Sequence, residues 1–373
     1  MSGTRGSAAV AAGPTGMVGL EVTGTPYEQG VQQGRALAGL IEGNLVQVER
    51  LIASLGVDAR TYRGYVDLAA AHLAARDPDT LEELDGIADG SGIDRARIRT
   101  LNIPIYMVAR RSKIVDDCSV FAVRSDATAD GKTYLVKTRD QPIDQFAYEH
   151  VALTRRSDDG RVIVEVNAAG IITNPGNGIN SEGLAVGTAG VWSKDRMGVR
   201  LSEIGSSWPM PDMHHLLRNA TTVGEAIGLF ADWPRLVGMN LVLADASGRI
   251  GTLELTATES YWHEGVGAGC SLTNHYVSPE IAGLSQTRAE YPSTHARLDF
   301  LDAALGGAER LGRDDIVALM EDRSQGDQDS IWRVSPDGKG SITRYGSVMC
   351  IEERSVESFG EDLSVASVWS SAQ

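Results

Sequence analysis

The feature that most constrains this 373-residue chain is a change of hydrophobic period near residue 117. Upstream of it apolar residues recur every three or four positions; downstream they alternate in short runs broken by Gly and Asp. The first period fits a helix face and the second a sheet face. The helical part opens on Thr25-Pro26-Tyr27-Glu28, a capping box with Pro at the first helical position. Leu37, Ile41, Leu45, Val48, Ile52 and Leu55 continue it on one face, and Gly56 ends it. Helical spacing returns at Val66 to Leu73, Leu81 to Ile87 and Ile98 to Val108.

From Cys118 the pattern predicts a hairpin: Cys118 to Val123, a turn at Asp130-Gly131, then Thr133 to Thr138. Strands are expected at Ala147 to Thr154, Arg161 to Val166 and Leu184 to Thr188. A capping box at Thr222 to Glu225 opens a helix through Ile227 and Phe230. A second hairpin pairs Asn240 to Ala244 with Thr252 to Leu255 around Ser247-Gly248. Helices follow at Ala296 to Leu305 and Asp314 to Met320, then strands near Ile342 and Val365. This order predicts an α+β chain in which helices cover antiparallel sheets, not a βαβ wheel. Glycines cluster between Gly170 and Gly190, as loops that line a site often require.

At this length the chain forms two domains or one large domain with an accessory segment. Hydrophobic residues at 42% and charged ones at 23% are those of a globular protein. A formal charge of −16 excludes a phosphate-backbone surface, which needs clustered Lys and Arg, so no nucleic-acid partner is expected. No apolar run reaches membrane-spanning length, and residues 1–16 are too weakly apolar for a secretory segment and read as a mobile tail. Cys118, Cys270 and Cys350 are odd in number and far apart, which fits neither a disulfide framework nor a zinc site and points to a reducing cytoplasm.

Cys118 stands at the junction of the two textures, and its hairpin brings it near Lys137-Thr138-Arg139-Asp140. Cleavage of the Asp117–Cys118 bond would place a thiol and a free α-amine on one residue. That amine, with an ordinary pKa of about 7.7–8.0, serves as base near neutrality without any histidine. Lys137 would favour the thiolate and Asp140 would orient the α-ammonium. A lone cysteine opening an apolar strand is usually a small buried hydrophobe, and the chemistry of these residues alone favours that reading.

Several separated segments bear on that choice together. They are Gly24-Thr25-Pro26-Tyr27-Glu28-Gln29-Gly30 with Gly34, Asp117-Cys118-Ser119-Val120-Phe121-Ala122, and Lys137-Thr138-Arg139-Asp140. In order after them come Gly178-Ile179-Asn180-Ser181-Glu182-Gly183-Leu184, Thr222 to Ala226, Ala244 to Gly248, Leu272-Thr273-Asn274-His275 and Ser293 to Arg297. With these the chain resembles the acyl-coenzyme A:6-aminopenicillanic acid acyltransferase family, relatives of bile-salt and penicillin V amidases.

The resemblance implies an Ntn-hydrolase αββα sandwich of two antiparallel sheets between helical layers. It implies a helical pro-segment at residues 17–117 and a catalytic part at 118–373, separated by self-cleavage before Cys118. Cys118 is then the nucleophile, with Lys137 beside it and Asp140 on its amine. Asn274 and Asn180 are the oxyanion donors, and Arg297 orders the nucleophile's surroundings. The chain departs from its relatives at Asp117, where the fungal penicillin enzyme has Gly, and at Lys137, where the amidases have Arg. Lys keeps the charge but loses the bidentate fork. The implied substrate is a small-molecule acyl amide or acyl thioester, with water or an amine as acceptor. Neither metal nor organic cofactor is expected, and self-association into a homo-oligomer is left open.

Turn chemistry is the plainer role for Asn180, and a solvated helix position the plainer one for Arg297. A metal hydrolase is disfavoured because the seven histidines are scattered and His214-His215 cannot face one ion from a helix. A papain-like set of Cys118, His275 and Asn274 lacks that family's local signature. A non-catalytic, uncleaved protein of the same fold stays as the alternative from another class. The loop near Asn180 and the segment from Trp192 to Trp208 are the expected pocket walls.

Overall fold

The computed structural model describes residues 10–12, 17–54, 56, 58–103, 117–143, 150–173, 176–191, 193–194, 212–231, 233, 235–307, 310–363 and 365–370. Two sheets lie face to face between two helical layers. One is nine-stranded, in the order β1 (Val10–Ala12), β2 (Val18–Gly24), β5 (His150–Ser157), β6 (Val162–Ala168), β7 (Asn177–Asn180), β8 (Ala185–Val191), β9 (Gly238–Ala244), β10 (Ile250–Leu255), β11 (Ser260–Glu264). The other is six-stranded: β12 (Gly269–Leu272), β3 (Asp117–Val123), β4 (Tyr134–Pro142), β13 (Ser341–Cys350), β14 (Ser355–Gly360), β15 (Val365–Ser370).

Period-two alternation makes the sandwich. On β3 and β4, Cys118, Val120, Ala122 and Leu135 face the larger sheet, where they meet Val164, Val166, Ile179 and Val242. Their neighbours Phe121, Val123 and Val136 face outward and pack with Leu301 and Leu305 of α7 (Pro292–Gly306) and Ile316 and Met320 of α8 (Arg313–Met320).

The outer face of the larger sheet is covered by α1 (Pro26–Ser54), α2 (Ala59–Arg76), α3 (Pro78–Ser91), α4 (Arg95–Asn102), α5 (Met213–Asn219) and α6 (Val223–Ala231). The capping box of α1 forms in both directions: Thr25 N donates to Glu28 Oε2 at 2.9 Å and Glu28 N to Thr25 Oγ1 at 3.3 Å. At α6 the reciprocal partner shifts by one residue: Glu225 N donates to Thr222 Oγ1, while Glu225 Oε2 accepts from Thr221 N.

Two expectations need correction. The region upstream of Cys118 is not purely helical, because Val18–Gly24 is a strand inside the larger sheet and Val10–Ala12, within the expected tail, pairs with it. Nor are the sheets wholly antiparallel, since β2 runs parallel to β5. A parallel neighbour is reached by a crossover, and here everything between residues 24 and 150 serves as that crossover. The expected extension of the last upstream helix to Val108 lies outside the described residues.

Candidate active site

Cys118 is the second residue of β3, 1% exposed, with its side chain turned toward the larger sheet. Every polar group it owns has a partner. Its thiol lies 3.2 Å from Lys137 Nζ. Its N–H donates to Asn274 Oδ1 at 3.0 Å, and its carbonyl accepts from Arg297 Nη1 at 2.6 Å.

The strand pleat distributes the neighbours. Lys137 and Asp140 are three residues apart on β4, so they project to opposite faces. Lys137 points inward with the thiol, where it also donates to the Thr188 carbonyl and, at 3.3 Å, meets Thr188 Oγ1. Asp140 points outward, and in register opposite it sits Asp117. All of these groups are buried, and the lysine ammonium is accordingly pulled down from its ordinary range by burial, against the pull of the Cys118 sulfur.

On the outward face four charged side chains meet. Arg333 Nη1 pairs with Asp117 Oδ2, and its Nε lies 3.4 Å from Asp140 Oδ2. Tyr291 donates its hydroxyl to Asp117 Oδ1, and Thr343 Oγ1 donates to Asp140 Oδ1 at 2.6 Å. Arg297 completes the group from α7, with Nη2 2.9 Å from Asn274 Oδ1 and 3.6 Å from Asp117 Oδ1, and Nη1 2.9 Å from Ser119 Oγ. Burial pushes Asp140 up, only partly opposed by Arg333 and Arg297. Burial and the nearby Arg333 bring Arg297 down to about 10. Burial pushes Arg333 down too, but Asp117 and Asp140 outweigh it and hold it above the ordinary range.

Cys118, Asp117, Lys137, Asp140, Asn274 and Arg297 are therefore placed in one cluster. Arg297 is fully buried, so the solvated role is ruled out. Asn180 is not in the cluster. It falls on the outward face of β7, where its Nδ2 donates to the carbonyls of Leu217 and Ala220 and its Oδ1 accepts from Leu184 N at 3.0 Å. The expected oxyanion role is corrected to a turn-and-helix tie. Part of the glycine-rich stretch nonetheless borders the site, since a Cβ at Gly176 would stand 3.5 Å from Lys137 Cε; the segment from Trp192 to Trp208, apart from Ser193 and Lys194, lies outside the described residues.

His275 also stands apart from the sulfur. Its Nδ1 meets Thr294 Oγ1 at 3.0 Å, its ring stacks on His295 at 3.7 Å, and burial takes its pKa down to about 3, which makes a neutral imidazole. Among the described residues no group of three or more His, Cys, Asp or Glu side chains is placed to hold a metal ion, and no helix is long and apolar enough to cross a membrane. A cavity of about 530 Å³ opens elsewhere, among α1, α2 and α4, lined by Ile52, Tyr62, Arg63 and Arg97 among others.

Sequence reasoning missed Arg333 and Tyr291. The signal for Arg333 was a lone cation within Ile331-Trp332-Arg333-Val334, since an arginine inside an apolar run is seldom buried without a partner, most often a carboxylate.

The model of the family described as acyl-coenzyme A:6-aminopenicillanic acid acyl-transferase matches residues 127–343. That stretch contains Lys137, Asp140, Asn274, Arg297 and Arg333 and begins after Cys118. Among solved structures, a mutant conjugated bile acid hydrolase from Clostridium perfringens is similar at 15% identity and a TM-score of 0.40, over 68% of this chain and 92% of that one. Penicillin V acylase from Agrobacterium tumefaciens is similar at 13% identity and a TM-score of 0.32, over 66% of this chain and 76% of that one. No curated protein matches the chain by sequence.

Proposed function

The chain belongs to the acyl-coenzyme A:6-aminopenicillanic acid acyl-transferase family, and from that premise we propose that it matures by cutting itself before Cys118 and then uses the freed cysteine to break or transfer an acyl group at a linear amide or thioester. The observation that carries this reading is the triple grip on Cys118: Lys137 at the sulfur, Asn274 at the amide N–H and Arg297 at the carbonyl. A merely buried cysteine needs none of these, and burying a lysine and an arginine beside it is costly without a function.

In the uncut chain the α-amine is still an amide and cannot act as base. Lys137 Nζ, 3.2 Å from the sulfur and pulled toward its neutral form by burial, takes the thiol proton. The thiolate attacks the Asp117 carbonyl carbon, the C–N bond to Cys118 breaks as its nitrogen gains a proton, and a thioester forms. Water then hydrolyses the thioester, which leaves a carboxylate on Asp117 and a thiol and α-amine on Cys118.

In the matured protein the α-amine becomes the base. The thiolate adds to the substrate carbonyl, Asn274 Nδ2 donates to the oxyanion in place of the Gly190 carbonyl it holds at 2.9 Å, and the leaving amine departs protonated. Asp140, in register opposite Asp117, holds the α-ammonium. Water or an amine collects the acyl group from sulfur.

Residues 17–117 remain bound as a pro-segment. Their strand β2 lies inside the larger sheet and their helices cover its outer face, so losing them would bare a large apolar surface. Intact-mass measurement on purified protein tests the reading. Two fragments divided before Cys118 are expected, and Cys118→Ala should stay whole; a wild-type chain that never divides and never forms an acyl thioester leaves the fold a binding protein.

A further inference from the structure

The inference that follows rests on the Cys118 reading above. The groups on the outward face are two arginines, Arg297 and Arg333, and two carboxylates, Asp117 and Asp140. Their charges balance only while Asp117 is in place. Asp117 is also chemically distinct from its neighbours, because in self-cleavage it is the acyl group: its carbonyl is the one the Cys118 sulfur attacks. The same sulfur later attacks the substrate carbonyl. Side chains that hold the Asp117 carboxylate therefore stand where the substrate's acyl chain must lie.

Those side chains are Arg333 and Tyr291, each touching one oxygen of Asp117, with Arg297 Nη2 3.6 Å away. Arg333 is itself fixed by Asp140 and by donation to Ser293 Oγ, so it does not follow Asp117 out. Hydrolysis detaches Asp117 from the sulfur. Its departure leaves Arg297 and Arg333 facing Asp140 alone, one buried positive charge in excess, before the new α-ammonium is counted. A buried cation without a counter-charge is strongly unfavourable, so the vacated position selects an anion.

We propose that Arg333 and Tyr291 form the subsite that recognises a carboxylate on the substrate's acyl group, set two carbons beyond the reacting carbonyl as it is in Asp117. The class is that of succinyl and α-aspartyl amides. The carboxylate takes no part in bond making; it anchors the acyl chain while sulfur displaces the amine.

The test compares succinyl p-nitroanilide with succinamoyl p-nitroanilide, which differs only in an amide for the carboxylate, on the matured protein. A charge-assisted pair in a dry site should raise kcat/KM for the succinyl compound by roughly tenfold or more. Arg333→Met should erase that preference and Arg333→Lys restore part of it. If Arg333→Met does not mature, Tyr291→Phe serves: KM for the succinyl amide should rise several-fold, and by more than KM for the succinamoyl amide, because the hydroxyl's bond to a carboxylate is the stronger one. Equal rates on the two amides, or a KM that Tyr291→Phe does not change, overturn the carboxylate subsite and leave the thiol mechanism standing. A chain that stays whole by mass and cuts no acyl amide overturns both.

Discussion

Asn180 and Asn274 show how far one residue type can be read from its setting. Both are buried asparagines in or beside strands, and both were expected to face a substrate carbonyl. Asn274 touches the Cys118 N–H and Arg297, whereas Asn180 ties β7 to the carbonyls of Leu217 and Ala220 in and just after α5. Parity decides it: Ile179 faces the sheet interface and Asn180, one residue on, faces the helices. Replacing Asn180 by Ala should therefore cost about 2 kcal/mol or more of stability through unsatisfied buried carbonyls, with turnover of the matured protein retained. Asn274→Ala should instead lower turnover by about 10²- to 10³-fold, as for a lost oxyanion donor. Thermal melts and steady-state rates on both variants separate these outcomes, and a hundredfold loss of rate from Asn180→Ala would reverse the assignment.

At the scale of elements, the helices α1 and α3 meet through glycines. A Cβ at Gly30 would stand 2.1 Å from the Glu83 carbonyl oxygen, and one at Gly86 2.2 Å from the Tyr27 carbonyl oxygen. The two backbones thus touch without side chains between them, and neither obstacle is a side-chain tip that could swing away. Gly30→Ala should destabilise by about 3 kcal/mol, at or above the upper end for overpacking. Gly39→Ala, on the same helix with open space around it, should be neutral or slightly stabilising by helix propensity. Denaturant unfolding of the pair measures the contrast; equal midpoints would show that the helices can separate without loss. The glycines at 30 and 34 are plain in the sequence, but the partner pair at 86 and 90 becomes meaningful only when α3 is laid alongside.

For the whole molecule the question is what holds residues upstream of Cys118 to those downstream. Besides apolar packing, a buried charged network crosses the divide: Glu83 of α3 pairs with Arg155 of β5 at 3.0 Å and Arg218 of α5 at 3.1 Å, and His214 of α5 meets Glu165 of β6 at 2.8 Å and Glu83 at 3.3 Å. Burial pushes His214 down, but Glu165 outweighs it and holds the imidazole above its ordinary range. Its contribution is therefore fully present below about pH 6.5 and is lost as pH rises through the folded value. Asp212, pushed up to about 7 by burial and by Asp77, loses stability in the same direction. Burial would raise Glu83 and Glu165, but Arg155 and His214 hold both below the ordinary carboxylate range, so their contribution is fully present above about pH 4.5 and is lost progressively as the pH falls below it. The melting temperature should fall from about pH 5 to about pH 8, and His214→Gln should flatten that slope. A slope unchanged by the variant would remove the network from the account.

The sequence alone determined the succession of helices, hairpins, helices and strands from Thr25 onward, though not the strands at Val10–Ala12 and Val18–Gly24 that precede it, because period and capping are local properties of neighbouring residues. It also singled out Cys118, Lys137, Asp140, Asn274 and Arg297 through a resemblance spread along the chain. Tertiary structure alone decided which face each side chain takes and what waits there: that Lys137 serves the sulfur while Asp140 lies on the other side of the same strand, that Asn180 belongs to a helix junction, and that Arg333, 216 residues from Asp117, closes the charge cluster. Register and the packing of distant segments set those contacts, and neither is written in any local stretch of residues.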